Sequence, residues 1–424
     1  MAKSTLPKEV RKQVQDIGEV DVLVGIPSYN SAPTIAHVVR AVSAGLAKYF
    51  PKHRTLLVNS DGGSADGTQE VVKQTTLDDP DVLLMEHPVY PVHRIVTPHH
   101  GQPGKGNAFR TIFRIASDLN AKACAVVDSD LRSITPEWIE LLVEPVLFHD
   151  YHFVAPYYKR HKYDGTITNS IVYPLTRALY GRRIRQPIGG DFGFSGKLGR
   201  HYLQKRVYDT DVARFGIDIW MTTTAMAEGF KVCQSFLGAK IHKPKDPGAD
   251  LSEMMAQVIG TVFRLMEIYH PVWSEVTGSE AIKEFGFKFE VGLEPIRVNL
   301  ERMVDSFQQG LSNLGPIWRK ILSPDLMTQL EEVASHHVVE FYLPDTAWVK
   351  IVYDFALAYR HRLMTRTHIL KSLTPLYLGW IASFVNQTMD SEAGEVEEKL
   401  ESLCREFEKQ KTYLLANWDK ERKR

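Results

Sequence analysis

Up to about residue 245, short apolar runs alternate with stretches of helical period. "DVLVGIP" (21–27) reads as a strand, and a helical stretch follows from Thr34 to Tyr49. "RTLLVNS" (54–60) is a second strand, ending in the Gly/Asp/Ser loop "DGGSADGT". "VHRIVTP" (92–98) is a third. Phe109, Ile112, Phe113, Ala116 and Leu119 then repeat at helical spacing, and "ACAVVD" (123–128) is a fourth strand. Its unbroken apolar character is that of a strand buried on both faces. This alternation predicts an α/β fold with a mostly parallel sheet flanked by helices. Ligands of such sheets bind beyond the carboxyl ends of the strands, where each of the loops considered below begins.

From about residue 250 the pattern changes. Leu251, Met254, Met255, Val258, Ile259, Val262, Leu265, Met266 and Tyr269 form one helical face, and Val396, Leu400, Leu403 and Phe407 another. Strand signals are sparse, so the C-terminal part reads as a mainly helical domain for packing or oligomerisation, with a homodimer left open. "KPKDPGAD" (243–250) supplies the breakers of a boundary, dividing the chain into 1–248 and 249–424. The length, 424 residues, agrees, since one hydrophobic core rarely grows so large. Trp348, Tyr353 and Tyr359 read either as a cover for a substrate or as core aromatics.

Charge and cysteine content narrow the function classes. Lys+Arg and Asp+Glu both number 51, so no global field points to nucleic acid and any anion site is local. The three cysteines, Cys124, Cys233 and Cys404, lack metal-site spacing and suit a reducing cytosol. "LYLGWIASFV" is too short to span a bilayer, and the N-terminus has no apolar secretion segment. The expectation is a cytoplasmic protein with no transmembrane segment.

The chemistry concentrates in four loops. Asp128 and Asp130 follow the fourth strand, and two hard carboxylates suit Mg²⁺ or Mn²⁺. The competing reading is a polar strand end, with Asp130 or Ser133 capping a helix that begins near Pro136. "GIPSYN" (25–30) ends the first strand in a turn able to admit a nucleotide. Asp61 ends the second, where a carboxylate pairs with a base or ribose, or else organises an Asx-rich turn. In "GQPGKGNAFR" (101–110), Gly104 and Gly106 allow close backbone approach and Lys105 adds a positive charge at a helix start, a setting for phosphate. Neither a Walker A loop nor a G-x-G-x-x-G after the first strand is present.

"PSYN", "SDGGSADGT", "GKGNA" and "DSD", in this order, resemble the nucleotide-sugar-binding half of GT-A glycosyltransferases. "YYKRHKYDGTITN", "RQPIGGDFGFSG", "FGIDIWMTTTAMAEGFKV" and "AKIHKPKD" then look like the retaining enzymes that glycosylate glycerate or its phosphate, the mannosylglycerate and glucosylglycerate synthases and, less closely, the glucosyl-3-phosphoglycerate synthases. The resemblance implies a nucleoside-diphosphate hexose donor contacted by Pro27, Tyr29, Asn30, Asp61, Gly104, Lys105, Asp128, Ser129, Gly189 and Gly190. It implies Mg²⁺ or Mn²⁺ held by Asp130 and His242, with Asp128 direct or through water. Arg160 and Thr168 match the residues that hold the acceptor carboxylate. Asp218 matches a carboxylate near the reacting centre and Asp191 stands where the relatives have glutamate, and the resemblance makes these two the candidate catalytic residues. The implied reaction is transfer of glucose or mannose to D-glycerate, giving an α-hexosylglycerate, a compatible-solute type of molecule. The alternatives are a 3-phosphoglycerate acceptor or an inverting enzyme of polysaccharide synthesis. The Q-x-x-R-W motif and membrane helices common in the latter are missing.

Overall fold

The computed structural model describes residues 6–75, 92–98, 104–241 and 252–420. They fall into two compact units. The first holds the described residues within 1–159, 184–243 and 282–293; the second holds those within 160–183, 244–281 and 294–424. The single cut expected after residue 248 is thus replaced by an interleaved division. The segment 160–183 packs with the later helices, and 282–293 returns to the first unit. The breaker stretch 243–250 and Leu251 lie outside the described residues.

The first unit opens with helix α1 (Lys8–Ile17) and is built on an eight-stranded sheet. Its strands are β1 (Val22–Ser28), β2 (Thr55–Asp61), β3 (His93–Pro98), β4 (Ala123–Val126), β5 (Phe153–Lys159), β6 (Phe192–Ser195), β7 (Val232–Ala239) and β8 (Glu284–Phe285). Their order across the sheet is β3-β2-β1-β4-β6-β5-β7-β8. All neighbours are parallel except β6, which runs antiparallel to both β4 and β5. The start of β6 therefore lies at the edge where the other strands end. The four strands read from the sequence are β1 to β4. The others are short or partly polar, and β6 has only four residues with a glycine among them.

Every residue of β1 and β2 is buried, as a doubly covered sheet requires. One face packs on α2 (Ala32–Tyr49) and α5 (Pro136–Phe148), where Val38, Val42 and Leu46 meet Ile139, Leu142 and Val143. Helix α3 (Thr68–Gln74) follows β2. Helix α4 (Lys105–Asp118) brings Ile112 against Gly25 of β1, where a Cβ would lie 2.6 Å from Ile112 Cδ1. Phe113 of α4 packs on Phe194 of β6 and on Tyr202 of α7 (Gly196–Gln204), and Tyr202 meets Trp220 of α8 (Ile217–Ala227) with centroids 4.9 Å apart. Cys124 and Cys233 are buried core residues, as is Cys404 in the second unit.

The second unit is helical. A five-residue π-turn, Thr168–Val172, leads into α6 (Tyr173–Tyr180). The remaining helices are α9 (Ser252–Ile268), α10 (His270–Trp273), α11 (Leu300–Ile321), α12 (Pro324–Ser335), α13 (Asp345–His361), α14 (Arg366–Ser372), α15 (Thr374–Thr388) and α16 (Ala393–Trp418). The apolar faces expected on α9 and α16 are buried. Trp348 and Tyr353 are core residues. The indole of Trp348 donates to the Ser170 carbonyl at 2.9 Å, and the Tyr353 hydroxyl donates to the Phe407 carbonyl at 2.6 Å. Tyr359 is buried on the same helix. The guanidinium of Arg177, almost wholly buried, is held by Glu401 and Glu408 of α16. Among the described residues no helix is long and apolar enough to cross a membrane.

Gly193 of β6 shows how closely these layers meet, because a Cβ there would collide with the Leu142 carbonyl of α5. Gly193→Ala is expected to cost about 1–3 kcal/mol, the usual range for overpacking. Urea denaturation of the variant checks it.

Candidate functional site

The loops at the carboxyl edge are tied to one another before any ligand is considered. Asp61 ends β2 fully buried, and its carboxylate accepts five hydrogen bonds. Gly63 N, Ser64 N and Gln69 Nε2 donate to Oδ1; Ser28 and Ser64 hydroxyls donate to Oδ2. Burial pushes its carboxyl up, but these donors more than offset that and hold it below the ordinary value. A carboxylate offers about four acceptor positions, so Asp61 is saturated. Asp61 organises the turn that follows β2.

Asn30, with φ of 48°, accepts from Ala65 N at 3.0 Å and so joins the loops after β1 and β2. The Ser129 hydroxyl bonds that of Ser31 at 2.8 Å, and the Ser129 carbonyl accepts from Thr34. Pro27 lies within β1, opposite Ser60. Tyr29 is exposed beside this junction.

Gly104 and Gly106 open α4, but their close approach is to protein. A Cβ at either would collide with the carbonyl of Ala213 or Val212, in the short turn Asp211–Ala213. The space left by the two missing side chains is taken by this neighbouring backbone, and Lys105 is aimed from between the two glycines.

Lys105 leads to the centre of the site. Its Nζ lies 2.9 Å from Asp128 Oδ1 and 3.1 Å from Asp218 Oδ2. Lys240, just after β7, places Nζ 2.8 Å from Asp128 Oδ2, 2.7 Å from Asp191 Oδ2 and 2.7 Å from the Gly189 carbonyl. Asp191 Oδ1 accepts from the Asp128 backbone N–H at 2.7 Å, and Oδ2 also accepts from the Tyr158 hydroxyl. Two ammoniums, from the start of α4 and the end of β7, thus bind three carboxylates that arrive from the end of β4, the start of β6 and the start of α8. Gly190, at φ of 89°, is required here, since a Cβ would collide with Asp128 Oδ2.

Burial and charge act in opposite directions on these groups. Burial raises the Asp128 carboxyl, but Lys105 and Lys240 more than offset that and hold it well below the ordinary 3.8. Burial dominates at Asp191 and Asp218, whose carboxyls lie above the ordinary value despite their lysine partners. Lys105, flanked by Asp128 and Asp218, is raised against the effect of its own burial.

Asp191 is 0% exposed and faces inward, onto the Asp128 amide and Lys240. Asp218 does not cap α8. The N-cap is Gly216, and Asp218 sits in the first turn with Oδ1 buried and without a hydrogen-bond partner among the described residues. Asp130 is half-buried and makes no hydrogen bond or ion pair among the described residues. Nor does Asp130 or Ser133 cap α5. Its N-cap is Thr135, with no side-chain cap bond, and Ser133 accepts instead from Ile241 N. Among the described residues no group of three or more His, Cys, Asp or Glu side chains is placed to hold a metal. His242 lies outside the described residues.

Arg160 and Thr168 belong to the second unit. They meet around Gly165, at φ of 66°, where a Cβ would lie 3.2 Å from Arg160 Nη1 and 3.8 Å from Thr168 Oγ1. Arg160 Nη1 is 3.6 Å from Asp164. Nearby, Lys162 donates to the carbonyls of Thr388 and Met389 at the end of α15.

Residues 23–206 match glycosyl transferase family 2. The chain carries a glycosyltransferase domain. The fold, a mostly parallel sheet flanked by helices with a helical C-terminal region, is of the GT-A kind. No curated protein matches the sequence at a significant level. Similar solved structures include a mycobacterial protein, 21% identical, covering 61% of this chain and 78% of its own with a TM-score of 0.44. They also include glucosyl-3-phosphoglycerate synthase from Mycobacterium tuberculosis in complex with Mn²⁺, uridine diphosphate and glucosyl-3-phosphoglycerate. That structure is 19% identical, covering 64% of this chain and 86% of its own with a TM-score of 0.44.

Sequence reasoning missed Lys240 and Tyr158 of the first unit. Both lie in quoted stretches, but neither residue type at those positions announces a buried ion partner. The lowered carboxyl of Asp128 gives a pH prediction. Its contribution to stability is present above 3.8 and is lost as pH falls below it toward the folded value. Asp128→Asn, which leaves part of this buried network uncompensated, is expected to cost about 3–5 kcal/mol at pH 7. In urea titrations its gap to the parent protein narrows as pH drops below 3.8.

Proposed function

We propose that this protein transfers a hexose from a nucleoside-diphosphate sugar to D-glycerate with retention of anomeric configuration. The observation that carries the reading is the corner after β4: Asp128 compensated by two lysines while the carboxylate of Asp130, two residues on, keeps no partner among the described residues. A hard, unpartnered carboxylate at a strand end fits Mg²⁺ or Mn²⁺. Asp130 would hold the ion, with His242 and Asp128 as the further candidate ligands. The ion, when bound, supplies positive charge against the diphosphate leaving group.

This chain's own groups supply position and charge. Lys105 stabilises the diphosphate as negative charge develops on it. Asp218, unpartnered at Oδ1, is the carboxylate suited to a sugar hydroxyl. Pro27, Tyr29, Asn30 and Ser129 form the wall of the nucleotide site, and Gly189 and Gly190 the loop beside the sugar. Arg160 and Thr168 bind the acceptor carboxylate, where a planar guanidinium gives paired hydrogen bonds. The acceptor hydroxyl attacks on the leaving-group face and its proton passes to the departing phosphate, so no acid/base pair is needed.

A screen with Mg²⁺ or Mn²⁺ crosses UDP-, GDP- and ADP-hexoses with glycerate and 3-phosphoglycerate. One donor is expected to turn over with glycerate, with the α-anomer seen by proton NMR. A β-product, or turnover with 3-phosphoglycerate alone, contradicts this reading. Excess EDTA and Asp130→Ala should each lower turnover by on the order of 100-fold or more. Full activity in EDTA contradicts the metal assignment. Arg160→Ala removes a charged hydrogen-bond pair and should raise the acceptor KM about 10–100-fold, leaving the donor KM unchanged.

A further inference from the structure

Lys105 and Lys240 both touch Asp128, but they are held differently. Lys240 has a side chain only 4% exposed, and its three ammonium protons face Asp128 Oδ2, Asp191 Oδ2 and the Gly189 carbonyl at 2.7–2.8 Å. Lys105 is 18% exposed and spans two carboxylates, and no third acceptor meets it among the described residues. One lysine is locked and the other is exchangeable.

We infer that Lys240 is a fixed counter-charge that lets Lys105 leave Asp128 for the donor diphosphate; the inference rests on the donor-site reading above. Without a second cation, moving Lys105 would strand Asp128 as an uncompensated buried charge, which is strongly unfavourable. Lys240 removes that penalty at Asp128 because it stays on Oδ2 when Oδ1 is released, while Asp218 exchanges its Lys105 contact for the sugar hydroxyl assigned to it above. Asp191 and Tyr158 hold Lys240 in turn. Asp191 Oδ2 accepts from both, and Asp191 Oδ1 fixes the Asp128 backbone. Gly190 passes over Asp128 without a side chain, so the arrangement closes. Lys240, Asp191 and Tyr158 are therefore positioning residues. They act through Asp128 and Lys105 and need not touch the sugar nucleotide. This also accounts for the shorter acid at 191, whose carboxylate is spent inside the protein.

The test is calorimetric binding of UDP, GDP and ADP with Mn²⁺, and of the parent nucleosides, to the intact protein and to Lys240→Met, Lys240→Arg and Tyr158→Phe, each checked by circular dichroism. The parent protein should bind one of the three nucleotides. In Lys240→Met, Lys105 remains on Asp128, so affinity for the Mn²⁺ nucleotide should fall about 10–100-fold, the scale seen for groups that support a metal site. Nucleoside affinity should stay unchanged. Lys240→Arg should recover most of the loss, and Tyr158→Phe, which keeps both charges, should fall between. A folded Lys240→Met that binds the nucleotide as tightly as the parent overturns the inference. So does an equal loss for nucleoside and nucleotide. If Lys240→Met does not fold, Tyr158→Phe decides, and parent-like binding overturns it. A parent protein that binds none of the nucleotides overturns the donor-site reading itself.

Discussion

Three carboxylates sharing two ammoniums is the constraint on which the catalytic edge of the sheet depends. Asp128, Asp191 and Asp218 cannot be withdrawn from water singly, since an isolated buried carboxylate costs several kcal/mol or more. Lys105 and Lys240 make the burial tolerable. The pairing also dictates topology. Asp191 reaches the site only because β6 runs antiparallel and so begins where its neighbours end. With all strands parallel, its position would lie at the opposite edge. The reversed strand is thus part of the site's construction.

The glycines of the region serve the same close packing. Gly104 and Gly106 admit the turn before α8 against the start of α4, and Gly190 admits the loop before β6 over Asp128. Each lets two segments meet more closely than a side chain would allow. The low-dielectric setting strengthens the ion contacts and makes any unpaired charge more costly. Asp130 is the exception at this edge, a carboxylate left without a protein partner among the described residues. Within one short motif the structure thus places a compensated carboxylate, Asp128, and an uncompensated one, Asp130, two residues apart among the described residues.

Much of this was legible in the chain. Continuous apolar runs marked β1 to β4, because a strand covered on both faces leaves no room for polar alternation. The loops after them carried the signals that drew attention to Lys105, Asp128 and Asp130. The signal failed where a residue's role depends on partners distant in sequence. Nothing in "AKIHKPKD" singles out Lys240, and only the parallel pairing of β5 with β7 brings it near Tyr158 and Asp191. For Asp191 a motif records position and not the direction a side chain faces, which here is inward onto Lys240 and the Asp128 amide. The donors that gather on Asp61 come from the turn and helix after it and from β1, and no single residue type in the sequence announces them. The unit boundary was hidden because 160–183 packs with α16 through Arg177, a contact across more than 200 residues.

The measurement that tests the central claim most directly is a crystal structure with Mn²⁺ and the preferred nucleoside diphosphate, with the ion located by its anomalous signal. The account predicts Mn²⁺ on Asp130, Lys105 moved from Asp128 onto the diphosphate, and Lys240 still between Asp128 and Asp191. An ion bound away from Asp130, or Lys240 displaced while Lys105 stays on Asp128, would contradict it.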